Sequence, residues 1–252
     1  MVPSPLLEFF KRGEAARDVR LLAAQGGLGV RAHDQLAILV LLLDDPDPEI
    51  RTTADATLNR IPSDVLSRFL GRSDIPIGIR EFFADRGIFP AGDAALDSEQ
   101  PLVEAEHDDA FAADEDEDKD TVSQKIAAMS MPEKLKAATK GTKEMRAILV
   151  RDPNKLICAA VMSSPKLTEQ EVEGIARMAS VSEDVLRIIG ANRAWMKNYK
   201  IASGLTRNPK TPLALSLNIL HRINDRDLAT LAVDRNVPEQ LRIAAKKKIG
   251  KS

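Results

Sequence analysis

The 252-residue chain carries a formal net charge of −2, with 44% apolar residues and only 4% aromatics. That apolar share supports a packed core, which with so few rings must be Leu, Ile, Val and Ala, residues that suit close-packed helices better than sandwiches or barrels. The longest apolar run, 36–43, has eight residues against the roughly 20 that span a bilayer; no secretory leader is evident, and the single Cys158 excludes an intrachain disulfide and a Cys-only metal site. A soluble chain in a reducing cytoplasm is expected.

Taken in chain order, the first signal is the stretch LDDPDPEIRTTADATLNRIP, residues 43–62. A helix apolar on nearly every side ends at the Asp-Asp-Pro-Asp-Pro turn, because the residue before a proline is pushed out of the α region. Asp47 fits an N-cap, Pro48 the first helical position, and Glu49 the positive end of the helix dipole. Ile50, Ala54, Leu58 and Ile61 then form one apolar stripe, and Pro62 closes it. SDVLSRFL starts a further helix with Ser63 as its expected cap. QGGLG, 25–29, has no strand before it and no Lys-Ser/Thr after it, so it is expected to be a turn between the first two helices and not a phosphate loop.

This helix–turn–helix resembles the HEAT repeat family over residues 28–62, through the turn at 45–48 with Ile50, Arg51, Ala54, Ala56 and Leu58. The resemblance implies antiparallel helix pairs stacked into a solenoid.

Residues 93–122 hold one basic and 13 acidic residues, and 123–252 hold 24 basic and 12 acidic. The acidic block is poor in aliphatic side chains, so 91–122 is expected to be a disordered linker, with Leu96, Leu102, Val103 and Phe111 as exposed hydrophobes, transient docking on a neighbour being the alternative. It divides the chain into an N-terminal helical domain, 1–90, and a basic helical-repeat domain, 123–252.

In the basic half, 155–176 and 199–220 align at a shift of 44 residues. The shared Pro-Lys falls at 165–166 and 209–210, and Ile157 meets Ile201, Val161 meets Leu205 and Ile175 meets Ile219. A weaker echo joins 181–189 to 237–245. Ser130 with Glu133, Thr168 with Glu171, and Ser180 with Glu183 have capping-box spacing. Helices are expected near 132–139, 142–151, 154–163, 168–178, 182–192, 195–207, 212–223, 225–234 and 238–248. Three helices per 40–44 residues make the unit similar to an armadillo or divergent HEAT repeat. The fold class expected is all-α: an α-solenoid of HEAT/armadillo-like repeats in two segments joined by the acidic linker.

Little in the sequence favours catalysis. His33, His107 and His221 lie in no metal-ligand spacing, Cys158 sits on an apolar helix as a buried structural thiol, and DEDEDKD lacks the glycine and closing Glu of a calcium loop. No enzyme activity, cofactor or metal is expected. One constellation suggests binding. Trp195 and Tyr199, the only Trp and Tyr, stand i, i+4 as if on one helix face, flanked by Arg193, Lys197, Lys200, Arg207 and Lys210, while Lys246 and Lys247 add charge near the C-terminus. Cations beside an aromatic platform suit nucleic-acid backbones and bases; the same residues also serve as filler between repeats with a solvated basic face. The leading expectation is a protein-binding or scaffolding solenoid. The alternative is a nucleic-acid binder that uses the basic repeats and is autoinhibited by the acidic linker.

Overall fold

In the computed structural model, residues 4–91, 100–103 and 119–250 are described. Among them every regular element is helical, with no strand. The chain divides into two compact units.

The first unit runs to Arg146 and includes Ser163–Lys166, so it takes in 123–146, which the charge count assigns to the basic half. Its helices are α1 (Pro5–Lys11), α2 (Arg17–Ala24), α3 (Ala32–Leu42), α4 (Pro48–Asn59), α5 (Ser63–Leu70), α6 (Ile77–Ala84), α7 (Lys119–Ala128), α8 (Met131–Lys140) and the start of α9 (Lys143–Leu149). The α3–α4 pair forms as the Asp-Pro turn predicts. Asp47 caps α4, its Oδ1 accepting from Glu49 N at 2.9 Å, with Pro48 as the first helical residue. Ile50, Ala54 and Leu58 are buried in the region where α4 packs on α2 and α3, and Ile61 follows them into the core.

The sequence did not indicate how firmly α2 holds this turn. Arg17 Nε donates to Asp47 Oδ2 at 2.7 Å and Nη2 reaches Glu49, while Arg20 Nε lies 2.8 Å from the buried Asp45 Oδ2. Asp45 in turn accepts from Asp47 N at 2.9 Å. Two arginines one turn apart on α2 thus meet successive carboxylates of the turn. The glycines at 25–29 make the turn between α2 and α3, the second and third helices, where Gly26 and Gly29 have φ of 79° and 59°, a region open to glycine at little cost. Pro62, and not Ser63, occupies the N-cap position of α5, so Ser63 is its first helical residue.

The expected linker is corrected in part. Residues 92–99 and 104–118, with Leu96, His107, Phe111 and most of DEDEDKD, lie outside the described residues. Residues 100–103, however, are seated on α3: Gln35 bonds to the backbone of Leu102 and Val103, and Val103 is buried. Val103 is therefore no exposed hydrophobe.

The second unit holds the rest of α9 and everything from α10 except Ser163–Lys166. Its helices are α10 (Lys155–Met162), α11 (Glu169–Arg177), α12 (Glu183–Ala191), α13 (Tyr199–Arg207), α14 (Leu213–Ile219), α15 (Asp225–Val233) and α16 (Glu239–Ile249), with 3-10 turns at Trp195–Lys197 and Leu220–Arg222. Helices pack on the next helix and also on the one after it: α10 on α12, α11 on α13, α14 on α16. All three aligned pairs are buried: Ile157 with Ile201, Val161 with Leu205, Ile175 with Ile219.

Two of the three capping boxes form. Glu133 accepts from Ser130 N at 2.7 Å and Glu171 from Thr168 N at 3.0 Å. The third does not: Ser182 caps α12, accepting from Val185 N, and Glu183 as the first helical residue turns to Arg187.

Candidate partner-binding face

The residues clustered around Trp195 divide between two elements, which corrects the shared-face expectation. Trp195 belongs to a 3-10 turn that Asn192 starts, its Oδ1 accepting from Ala194 N at 2.9 Å and Trp195 N at 3.3 Å. Asn198 ends that turn in extended conformation and caps α13, accepting from Lys200 N at 2.9 Å. No continuous helix joins Trp195 to Tyr199. Trp195 is 8% exposed and serves the core; Tyr199 is 38% exposed.

Tyr199 and Arg207, at opposite ends of α13, converge on one carboxylate of α15. The Tyr199 hydroxyl donates to Asp227 Oδ2, and Arg207 Nη2 donates to Asp227 Oδ1 at 2.6 Å. Asp227 is itself placed by the cap of α15, where its N–H donates to Asn224 Oδ1 at 2.8 Å. Asn224 N also points at the Tyr199 oxygen, 3.4 Å away. Desolvation and the bond to Asp227 raise the Tyr199 phenol above its ordinary value, so it remains a neutral donor at neutral pH. An exposed ring and an exposed guanidinium are thereby held in one arrangement.

The other cations are distributed differently. Lys200 Nζ lies 3.8 Å from Glu173 Oε2, and Arg177 approaches the same carboxylate through Oε1 at 2.8 Å. Arg193 just before the 3-10 turn and Lys197 at its end are exposed, as is Lys210 in the turn that Asn208 starts. Lys246 and Lys247 ride on the last turns of α16, where positive charge complements the helix dipole; Lys248 next to them donates to Leu220 O at 2.9 Å.

Asp227 and Asn208 hold this face in place, and the sequence pattern did not bring them forward. Asn208 is buried and closes α13 onto α11, its Nδ2 donating to Ala176 O at 2.9 Å and Met178 O at 3.0 Å while its Oδ1 accepts from Lys210 N at 3.0 Å. A polar side chain directly before Pro-Lys is the available signal for Asn208. For Asp227 the signal is its N3 spacing from the Asn224 cap.

No family model, curated protein or solved structure matches the chain.

Among the described residues no three His, Cys, Asp or Glu side chains are grouped to hold a metal ion, and no helix is long and apolar enough to cross a membrane. Cys158 is buried as expected. Desolvation, then the nearby Asp152 charge, pushes its thiol up to about 11, and its Sγ lies 3.3 Å from Val150 O and 3.2 Å from Asp152 O.

Proposed function

We propose that the chain is a non-enzymatic partner-binding protein built on HEAT/armadillo-like helical repeats, and that Tyr199 and Arg207 are the anchors of its protein-binding face. The observation that carries this reading is their shared hold on Asp227. Tyr and Arg are the side-chain types that concentrate binding energy in protein interfaces, and a pair already fixed loses less conformational entropy when a partner arrives. Exposed Leu217 on α14, Val233 on α15 and Ile243 on α16 add apolar area of the kind a protein partner covers.

Repetition of the unit is supported by its turns. Ser164 before Pro165-Lys166 accepts from Lys166 N at 3.2 Å and donates to Thr139 O at the end of α8, 2.7 Å away. Forty-four residues on, Asn208 performs the same two tasks for Lys210 and the end of α11. The recurrence of burial positions and turn chemistry at one interval is what a stacked repeat requires.

The nucleic-acid alternative draws less support from the same geometry. Its stacking platform needs two accessible rings, and Trp195 is buried; Arg207 and Lys200, two of its phosphate contacts, face carboxylates. The test is capture from a lysate of the protein's own cells on the immobilised full chain, with and without nuclease, alongside titration of a DNA or RNA duplex across a salt series. Discrete protein partners that survive nuclease, with no tight duplex binding at low salt, are expected. Loss of every partner on nuclease treatment, with log K for a duplex falling steeply as salt rises, would overturn the reading.

A further inference from the structure

Within the first unit, Gln35 on α3 is 3% exposed and spends its whole side-chain amide on another segment's backbone. Its Oε1 accepts from Leu102 N at 2.7 Å and Val103 N at 3.0 Å, and its Nε2 donates to Val103 O. At the start of the same helix, Ala32 N, which has no partner within α3, donates to Gln100 O at 3.1 Å. Pro101, between these contacts, has no N–H to satisfy. The floor of the slot is Gly26, with φ of 79°; a Cβ built there would stand 3.4 Å from Val103 O and 3.5 Å from the buried Thr57 methyl. The Val103 side chain is itself buried.

A core amide with no charged partner and three bonds to a chain 67 and 68 residues away, beside a left-handed glycine in contact with the same carbonyl, amount to a reader of bent backbone, whose successive N–H groups at 102 and 103 converge on one oxygen. We infer that the Gln35 slot is a peptide-binding site, whose ligand class is a bent segment of Pro-Leu-Val type, and that residues 100–103 occupy it as a resident ligand. Backbone contacts supply affinity that depends little on sequence. The proline and the buried valine supply the selection. Tethering holds the resident segment at a local concentration in the millimolar range, so an incoming peptide of the same class must displace it. The site is separate from the Tyr199–Arg207 face and does not depend on the reading given to that face.

The probe is a fluorescent peptide with the sequence of residues 98–105, titrated against the full chain in four forms. These are the native protein, L102D/V103D, L102P/V103P, whose prolines remove both N–H donors, and L102P/V103P combined with Gln35→Leu. Both emptied forms are expected to bind the peptide at least about tenfold more tightly than the native chain, and Gln35→Leu to weaken the emptied form by about tenfold or more, the scale of losing hydrogen bonds to a buried amide. Hydrogen exchange on the native chain supplies a measurement independent of the emptied forms: the Leu102 and Val103 amides are protected, and Gln35→Leu alone exposes them. Peptide binding no tighter in the emptied forms than in the native chain, binding indifferent to Gln35→Leu, or rapid exchange of both amides in the native protein would each overturn the proposal.

Discussion

Asp47 shows how much one short side chain can hold. It caps α4, pairs with Arg17, and stands beside Asp45, which fastens the same turn to Arg20. The bond from Glu49 N, followed by the Arg17 contacts, keeps its carboxyl below the usual range. A carboxylate with a lowered folded pKa contributes stability above its ordinary pKa and loses it as pH falls through the folded value. Asp47→Asn keeps a good cap and loses the charge; Asp47→Ala loses both. Thermal unfolding should therefore rank native above Asn above Ala at pH 7, with the native-to-Asn gap closing below about pH 4. Equal Tm values at pH 7 would show that the turn does not rely on this cap. Cys158 makes the converse case. With its thiol pushed up to about 11, the native chain should resist iodoacetamide at about pH 8 and react once denatured, since the thiolate is the nucleophile; rapid labelling of the folded protein would contradict its burial.

Among the helices and turns, legibility in the sequence followed whether the local signals agreed and how far the deciding contacts reach. The α3–α4 pair was readable because its signals are local: prolines, a cap and a 4-4-3 stripe, all between residues 43 and 62. Leu58→Ala in that stripe should cost roughly 2–5 kcal/mol, measured by denaturant unfolding, whereas a change under about 0.5 kcal/mol, the range of ordinary surface substitutions, would remove Leu58 from the core. The break at Asn198 was hidden, because the i, i+4 spacing of Trp195 and Tyr199 is what a helix would show, and the deciding bond runs from Lys200 N back to the Asn198 side chain. The contacts of Gln35 with residues 100–103 were hidden for a different reason: they join segments far apart in sequence, one of them inside a block whose composition argues against order. Asn208 lies between these cases. Replacing it with alanine strips the carbonyls of Ala176 and Met178 of a buried donor and should cost roughly 1–3 kcal/mol; Asn208→Asp, an acceptor without the donors, should fare no better. A neutral Asn208→Ala would show that α11 and α13 are held by apolar packing alone.

Across the chain as a whole, composition together with the caps and apolar spacing anticipated the helical class, since aliphatic residues with few rings suit close-packed helices better than sandwiches or barrels. Circular dichroism should be dominated by helix, and a β-rich spectrum would contradict the fold. Of the candidate face, Tyr199, Arg207 and the neighbouring cations were visible as a cluster, but Asp227, 20 residues beyond Arg207, was not, so the sequence suggested a cationic platform where the structure has a carboxylate-centred one. That difference favours the protein-binding proposal over its nucleic-acid alternative. The decisive experiment is quantitative capture of nuclease-resistant partners by the full chain, native against Tyr199→Ala, Arg207→Ala and Asp227→Asn, each verified as folded by circular dichroism. Tyr199→Ala and Arg207→Ala are each expected to reduce capture by about tenfold or more, as truncated interface anchors do, and Asp227→Asn, which leaves both side chains in place but loosens their hold, to reduce it less. Undiminished capture by all three variants would show that the partner binds elsewhere than on this face.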